Sequence, residues 1–473
     1  MQQGEVRGFA KNSVFFFIAR TIDVLTGIIS IVLIARYLGS QIYGEYAFIL
    51  AYVGSIIPLA YFGLDRISIR ELSKNRERAQ EYLGAIIISR WIMSLGALII
   101  FAVTLLFVHI NNHLFIAIII VLIAELFNAS ASAFSAVFIA YERIQYETLI
   151  TTMWKGIYLV LLAITIYADK GINGVCSALM LSNALRALIS ITAVRKRFVR
   201  PAYSFNYPLI KNIIKDSMVL GISVLFAVWY LKSGLILVRF FKDPVQVAFF
   251  QISQSAVIQS RIIAISISVS LFPMISKLAK MPAESSQKIS EVYEKAYNTL
   301  LVVALSMTIF FIGFAKEIIL LLFGHKYTDA TFTFKVTSLA ILPLFITSLN
   351  EYFFISYHEQ RYITLSWLIC LVLTILCNTV LIPEYGSTGA ALSFTFGLIA
   401  LSFTHAFFSS RAGLSFIKTA PIKLSIFLLV SLIIFGFVHE GQTLFIRFLI
   451  VFSVIATVLV YWRYRVFHRL TSN

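Results

Sequence analysis

Charge is scarce in this 473-residue sequence: 13% of residues are Asp, Glu, Lys or Arg, about half the share of a soluble domain. Acid is scarcest, with 22 Asp and Glu against 39 Lys and Arg, for a net charge of +17. Cysteine is nearly absent. Cys176, Cys370 and Cys377 all lie in apolar runs, which excludes a disulfide framework and a zinc site. No H-E-x-x-H, Walker-type G-x-x-x-x-G-K-[ST] or nucleophile elbow occurs, and the seven histidines are scattered. Metal hydrolysis, nucleotide-driven transport and hydrolase chemistry therefore lack their residues. The longest expected outer loop, 316–332, is too short for a catalytic domain and carries no acid, Arg or His cluster. No catalytic residue, metal site or cofactor is expected.

What is abundant is apolar surface, at 59% of residues. That places the chain among all-α integral membrane proteins, because only helices and closed barrels satisfy their backbone within lipid. No Arg-rich transit segment opens the sequence, and its first apolar run is too long for a signal peptide. Fourteen apolar spans are expected, at about 13–36, 43–65, 82–107, 114–139, 148–168, 173–194, 216–239, 246–274, 296–315, 333–356, 362–382, 388–408, 423–438 and 443–462. With both termini in the cytoplasm, 25 of the 39 basic residues fall in cytoplasmic segments and six on the outer side. The positive-inside rule accounts for most of the net charge, so nucleic acid is not needed as a partner.

Eight basic residues remain inside spans: Arg20, Arg90, Lys155, Arg186, Lys232, Arg261, Lys335 and Arg447. Arg90, Lys335 and Arg447 lie near span ends, where they can snorkel. The other five are deeper, against few internal acids, chiefly Asp23, Glu125 and Glu351. Such charges are costly and mark a bundle interior or a water-filled path by default. An excess of unpaired internal cations points to a cavity for an anion. Arg20 and Asp23, three residues apart, share one helical face; the competing reading is a buried pair that locks two helices. In span eight, Gln254, Arg261 and Ser268 share a face at intervals of seven, either as a binding seam or as interhelical glue. In span four, Glu125, Asn128, Ser132 and Ser135 fall at helical spacing, with Lys155 and Arg186 as candidate neutralisers of Glu125.

An internal repeat divides the chain. Tyr141-Glu142-Arg143-Ile144-Gln145-Tyr146 resembles Tyr357-His358-Glu359-Gln360-Arg361-Tyr362, 216 residues on. Gly171-Ile-Asn-Gly174 and Gly386-Ser-Thr-Gly389 are 215 apart, and Lys11-Asn-Ser13 and Lys215-Asp-Ser217 are 204 apart. Arg36 and Arg239 occupy matching positions at the outer ends of spans one and seven, as gate or as headgroup anchors. The added length sits in the 276–295 loop, whose pattern predicts an interfacial helix. Two parallel six-helix lobes, 1–200 and 201–410, then precede two further helices in 411–473, an arrangement suited to alternating access.

With these residues in view, the sequence resembles Wzx-type polysaccharide flippases of the MATE/MOP exporter superfamily. The marks are A-R-Y-L-G-S-Q-I-Y-G-E-Y (35–46), L-D-R-I-S-I-R-E-L (64–72), the two G-x-x-G openings and L-L-F-G-H-K-Y-T-D-A (321–330). The resemblance implies a V-shaped transporter in the bacterial inner membrane. Its implied cargo is an undecaprenyl-diphosphate-linked oligosaccharide repeat unit, moved to the outer leaflet for O-antigen or capsule synthesis. A polysaccharide polymerase and a chain-length regulator are implied partners, besides membrane lipids. The substrate-contacting set would be Arg20, Arg36, Lys155, Arg186, Lys232, Arg239, Gln254 and Arg261, since Arg and Lys both grip phosphate. Asp23 and Glu125 are the candidates for H+ or Na+ coupling. The alternatives are a lipid II flippase and a cation-coupled multidrug antiporter, the latter disfavoured by the dominance of cations over acids.

Overall fold

The computed structural model describes residues 3–106, 112–279 and 286–412, with 414, 417, 427 and 431. The expected spans at 423–438 and 443–462 lie almost wholly outside the described residues. Among the described residues there is no β-strand, and ten helices are long and apolar enough to cross a membrane. The helices are α1 (Gln3–Ile56), α2 (Pro58–Tyr61), α3 (Leu64–Lys74), α4 (Ala79–Leu105), α5 (Asn112–Ala140), α6 (Ile144–Tyr167) and α7 (Gly171–Arg197). They continue as α8 (Tyr207–Phe241), α9 (Pro244–Leu278), α10 (Ser286–Gly313), α11 (Ala315–Phe323), α12 (Ala330–Ser338), α13 (Ile341–Ser356) and α14 (Gln360–Ser409).

Two of these helices are too long for one crossing, which takes about 20 residues. The 54-residue α1 is broken at Gly39 (φ 73°, ψ 170°), and the 50-residue α14 at Gly386 (φ 57°, ψ −129°). Both angles lie where only glycine is unstrained. The breaks fall where the sequence places the turns between spans one and two and between spans eleven and twelve. The 276–295 loop differs from expectation in its described parts. Those residues extend the flanking helices, α9 to Leu278 and α10 from Ser286, because the apolar pattern continues on one face of each; 280–285 lie outside the described residues.

The chain packs as two compact units, Met1–Lys232 and Ser233–Asn473, with the division inside α8. In the first unit α5 lies along α7 and α3, α1 along α6, and α2 against α4. Leu64, Leu83, Ile86, Phe134, Phe138 and Ile213 are among the residues of its buried core. In the second unit α13 is central, packed on α9, α10 and α14. Small hydroxyl residues permit that close packing: Thr347 and Ser348 are buried and return their hydroxyl protons to carbonyls one turn back.

The sequence repeat is also a backbone repeat. Glu142 and His358, 216 positions apart, both adopt φ 59°. The Arg143 amide donates to Phe138 O at 2.8 Å and the Glu359 amide to Phe354 O at 2.9 Å. Tyr146 and Tyr362 then donate to Arg143 O and Glu359 O at 3.0 and 3.2 Å. Each turn is packed by a ring pair, Phe138–Tyr146 at 5.9 Å and Phe354–Tyr362 at 6.4 Å.

One close approach gives a stability prediction. Gly84 of α4 faces the Ala202 carbonyl so closely that an added Cβ would overlap it, while the Ala202 amide is tied to Gln80 O at 2.9 Å. Overlap with backbone cannot be relieved by a rotamer change. Gly84→Ala is expected to cost at least about 1–3 kcal/mol, read as a lowered melting temperature of the detergent-solubilised protein.

Candidate functional site

Seven internal charges of the first unit form one array. Asp23 sits on α1 one turn after Arg20, and Arg20 Nη1 donates to its Oδ2 at 3.2 Å. From α6, Lys155 Nζ approaches the other oxygen, Oδ1, at 2.7 Å. Both carboxylate oxygens are thus engaged by cations. Trp154 carries the array onward, because its ring lies beneath Lys155 Nζ at 4.3 Å and Arg186 Cζ at 4.4 Å. Such cation–π contacts hold a cation while leaving some of its N–H groups available.

Arg186, on α7, joins two further helices. Its Nη1 donates to Asn128 Oδ1 of α5 at 2.7 Å, and its Nη2 to Glu147 Oε1 of α6 at 3.4 Å. Asn128 Nδ2 in turn donates to Glu125 Oε2 at 3.3 Å. Lys232 of α8 interacts electrostatically with Glu125, and its stem passes Gly54 of α1, where an added Cβ would lie 3.6 Å from Lys232 Cε. Four cations and three carboxylates therefore run from Arg20 to Lys232. Exposure grades along the array: the Arg20 and Asp23 side chains are 48% and 36% accessible, Lys155 and Arg186 only 15% and 12%. Buried Glu147 Oε2, Trp154 Nε1 and Arg186 Nε make no hydrogen bond. Unsatisfied groups of this kind are costly unless water or a ligand meets them.

The expectation of unpaired cations is corrected here. Lys155 pairs with Asp23 and not with Glu125, whereas Arg186 meets Glu125 both through Asn128 and by direct electrostatic interaction. Glu147 is a further compensating acid: α6 starts at Ile144, earlier than the span expected from 148, and so brings Glu147 into the helix opposite Arg186. Arg90 does not snorkel. It is 3% exposed and its guanidinium joins three helices, through Asp65 Oδ1 of α3 at 2.6 Å and Ser132 Oγ of α5 at 2.6 Å, with a further bond to Ala129 O. Asp65, the partner, stands in L-D-R-I-S-I-R-E-L at the very end of the second expected span, 43–65.

Arg36 is exposed and stands about 24 Å along α1 from Arg20, at 1.5 Å per residue. The neighbouring Tyr37 hydroxyl donates to Asp169 at 2.8 Å and accepts from the Gly171 amide at 2.8 Å.

In the second unit Arg239 is half-buried and Gln254 is buried. Arg261 of α9 donates to Ser348 Oγ at 2.8 Å and Glu351 Oε2 at 2.9 Å, while Trp367 Nε1 of α14 donates to Glu351 Oε1 at 3.0 Å. Both oxygens of Glu351 are satisfied within the protein, so this cluster has the character of a three-helix lock. Ser348 and Ser132 are 216 positions apart, and each takes a guanidinium proton. No grouping of three or more His, Cys, Asp or Glu suited to a metal occurs among the described residues.

These features define an all-helical, multi-pass membrane protein whose fold is found in two kinds of transporter. The lipid II flippase MurJ in an inward closed conformation superposes with a TM-score of 0.73 at 14% identity, covering 98% of this chain and 100% of that one. An inward-facing multidrug resistance MATE family transporter of the MOP superfamily gives 0.63 at 14% identity, covering 86% and 95%. The Vibrio cholerae MATE transporter VcmN in the bent form gives 0.53 at 16% identity, covering 90% and 100%. At these identities the likeness establishes the fold. No curated protein matches in sequence. Residues 9–279 match the family described as polysaccharide biosynthesis protein, and the chain belongs to that family.

Proposed function

We propose that this chain is a flippase for undecaprenyl-diphosphate-linked oligosaccharide repeat units, moving them from the cytoplasmic to the outer leaflet of the bacterial inner membrane by alternating access. Membership of the polysaccharide biosynthesis family supports the cargo class. A fold shared with a lipid II flippase supports the mode of action. The observation that carries the reading is the array from Arg20 to Lys232, which holds four cations at membrane depth and leaves its Arg20 end accessible.

A diphosphate entering such an array can exchange partners with Asp23, taking over hydrogen bonds that Arg20 and Lys155 now give to that carboxylate. Arg186 and Lys232 offer further positive charge deeper in the unit. Asp23 and Glu125 are the carboxylates we assign to H+ or Na+ coupling, because each faces cations whose availability would change with its charge. Arg36 and Arg239 serve at the outer ends of their helices, Gln254 and Arg261 on α9 of the second unit. The distribution of basic residues supports a topology with both termini in the cytoplasm.

The test is the lipid-linked pool of a deletion strain. Accumulation of undecaprenyl-diphosphate-linked repeat units, with surface polysaccharide restored by the gene in trans, is the expected result. Rescue of viability after depletion of a lipid II flippase would instead make lipid II the cargo.

A further inference from the structure

Outside the charged array, a groove of about 490 Å³ lies where the end of α9 meets the start of α10. Three lysines border it, Lys277 from α9 with Lys288 and Lys295 from α10, against one acid, Glu291. Lys288, Glu291 and Lys295 are spaced by three and four residues and so share one helical face. All four charged side chains are exposed. The rest of the lining is apolar: Met274, Leu278 and Val292. Along α9 the same face carries Ile263 and Met274, 37% and 42% exposed, with Ile267 between them and Ser270 returning its hydroxyl proton to the Ile267 carbonyl at 2.7 Å. Ile263 and Met274 are three turns apart and share a face, covering about 16 Å of the helix axis. That length matches the hydrocarbon depth of one leaflet, about 15 Å.

We infer that this groove is a binding site for an anionic membrane phospholipid, with the phosphate headgroup among Lys277, Lys288 and Lys295 and one acyl chain along the Met274–Ile263 face of α9. The charge fits, because three lysines against one glutamate leave a positive surplus at the groove mouth. The shape fits as well. A soluble phosphate would use the lysines but leave the apolar stripe without an occupant, whereas a phospholipid uses both. The inference is independent of the transport reading; only the choice of the cytoplasmic leaflet rests on the orientation proposed above. The groove would anchor the α9–α10 junction to anionic lipid.

The experiment is native mass spectrometry of the purified full chain in detergent with equal amounts of phosphatidylglycerol and phosphatidylcholine. Retention of phosphatidylglycerol over phosphatidylcholine is expected, falling at least about tenfold in Lys277→Gln/Lys288→Gln/Lys295→Gln, since each lysine contributes separately to anionic-lipid attraction. A control variant, Lys242→Gln/Lys316→Gln/Lys326→Gln, loses the same charge elsewhere in the unit and should retain the wild-type preference. Equal loss in both variants, or unchanged binding in the first, would overturn the assignment. Equal retention of the two lipids by the wild-type chain would also overturn it.

Discussion

Lys155→Glu is expected to lower transport of the lipid-linked repeat unit by at least about tenfold, a barrier change of about 1.4 kcal/mol or more. The substitution places a second carboxylate beside Asp23, whose Oδ1 now lies 2.7 Å from Lys155 Nζ. It also removes one of the two cations stacked on Trp154. The informative comparison is Asp23→Lys/Lys155→Glu, which restores opposite charges across the same α1–α6 contact. If the pair only locks helices, the exchange recovers transport. If the Arg20 end receives a diphosphate, the exchange recovers the melting temperature but not transport, because the charge presented to the cargo has moved to another helix. Transport is read as surface polysaccharide restored in a deletion strain, normalised to the amount of protein in the membrane.

Asp65→Ala is expected to destabilise the first unit by about 3 kcal/mol, at the lower end of the cost of breaking a buried ion pair. The Arg90 side chain is 4% accessible, so its charge stays desolvated when the partner is removed; Asp65 is 43% accessible, which limits the loss. Ser132 Oγ and Ala129 O remain as acceptors, but neither is charged. Asp65→Ala/Arg90→Met removes the orphaned charge and should recover most of the stability, as replacement of a buried pair by apolar packing commonly does. Thermal unfolding of the wild type, Asp65→Ala, Arg90→Met and the double variant in one detergent supplies the cycle. A double variant no better than Asp65→Ala would show that the loss comes from packing and not from an unpaired guanidinium.

Hydropathy made the helical architecture legible because lipid leaves the backbone few choices. The breaks at Gly39 and Gly386 were readable as short polar or glycine-bearing gaps between apolar runs. The pairing of charges was not readable. Whether Lys155 meets Asp23 or Glu125 depends on how α6 is rotated between α1 and α5, and several rotations are compatible with one apolar composition. Arg90 shows the same gap in another form: its position near a span end fitted snorkelling, yet the Asp65 carboxylate on α3 draws it inward. Arg261 was readable as a costly internal charge, but its closure by Glu351, Ser348 and Trp367 needed three helices in place.

A chain threading into a bilayer commits its helices in pairs, and the turns at 141–146 and 357–362 set where two of those pairs close. Each turn closes with backbone bonds spanning no more than five residues and a ring contact spanning eight. Contacts this local carry little loop-closure entropy and form early. The α5–α6 and α13–α14 hairpins are therefore expected to register during synthesis before the ion pairs between more distant helices are available. Insertion would then begin twice, once in each half of the chain, from two copies of one turn.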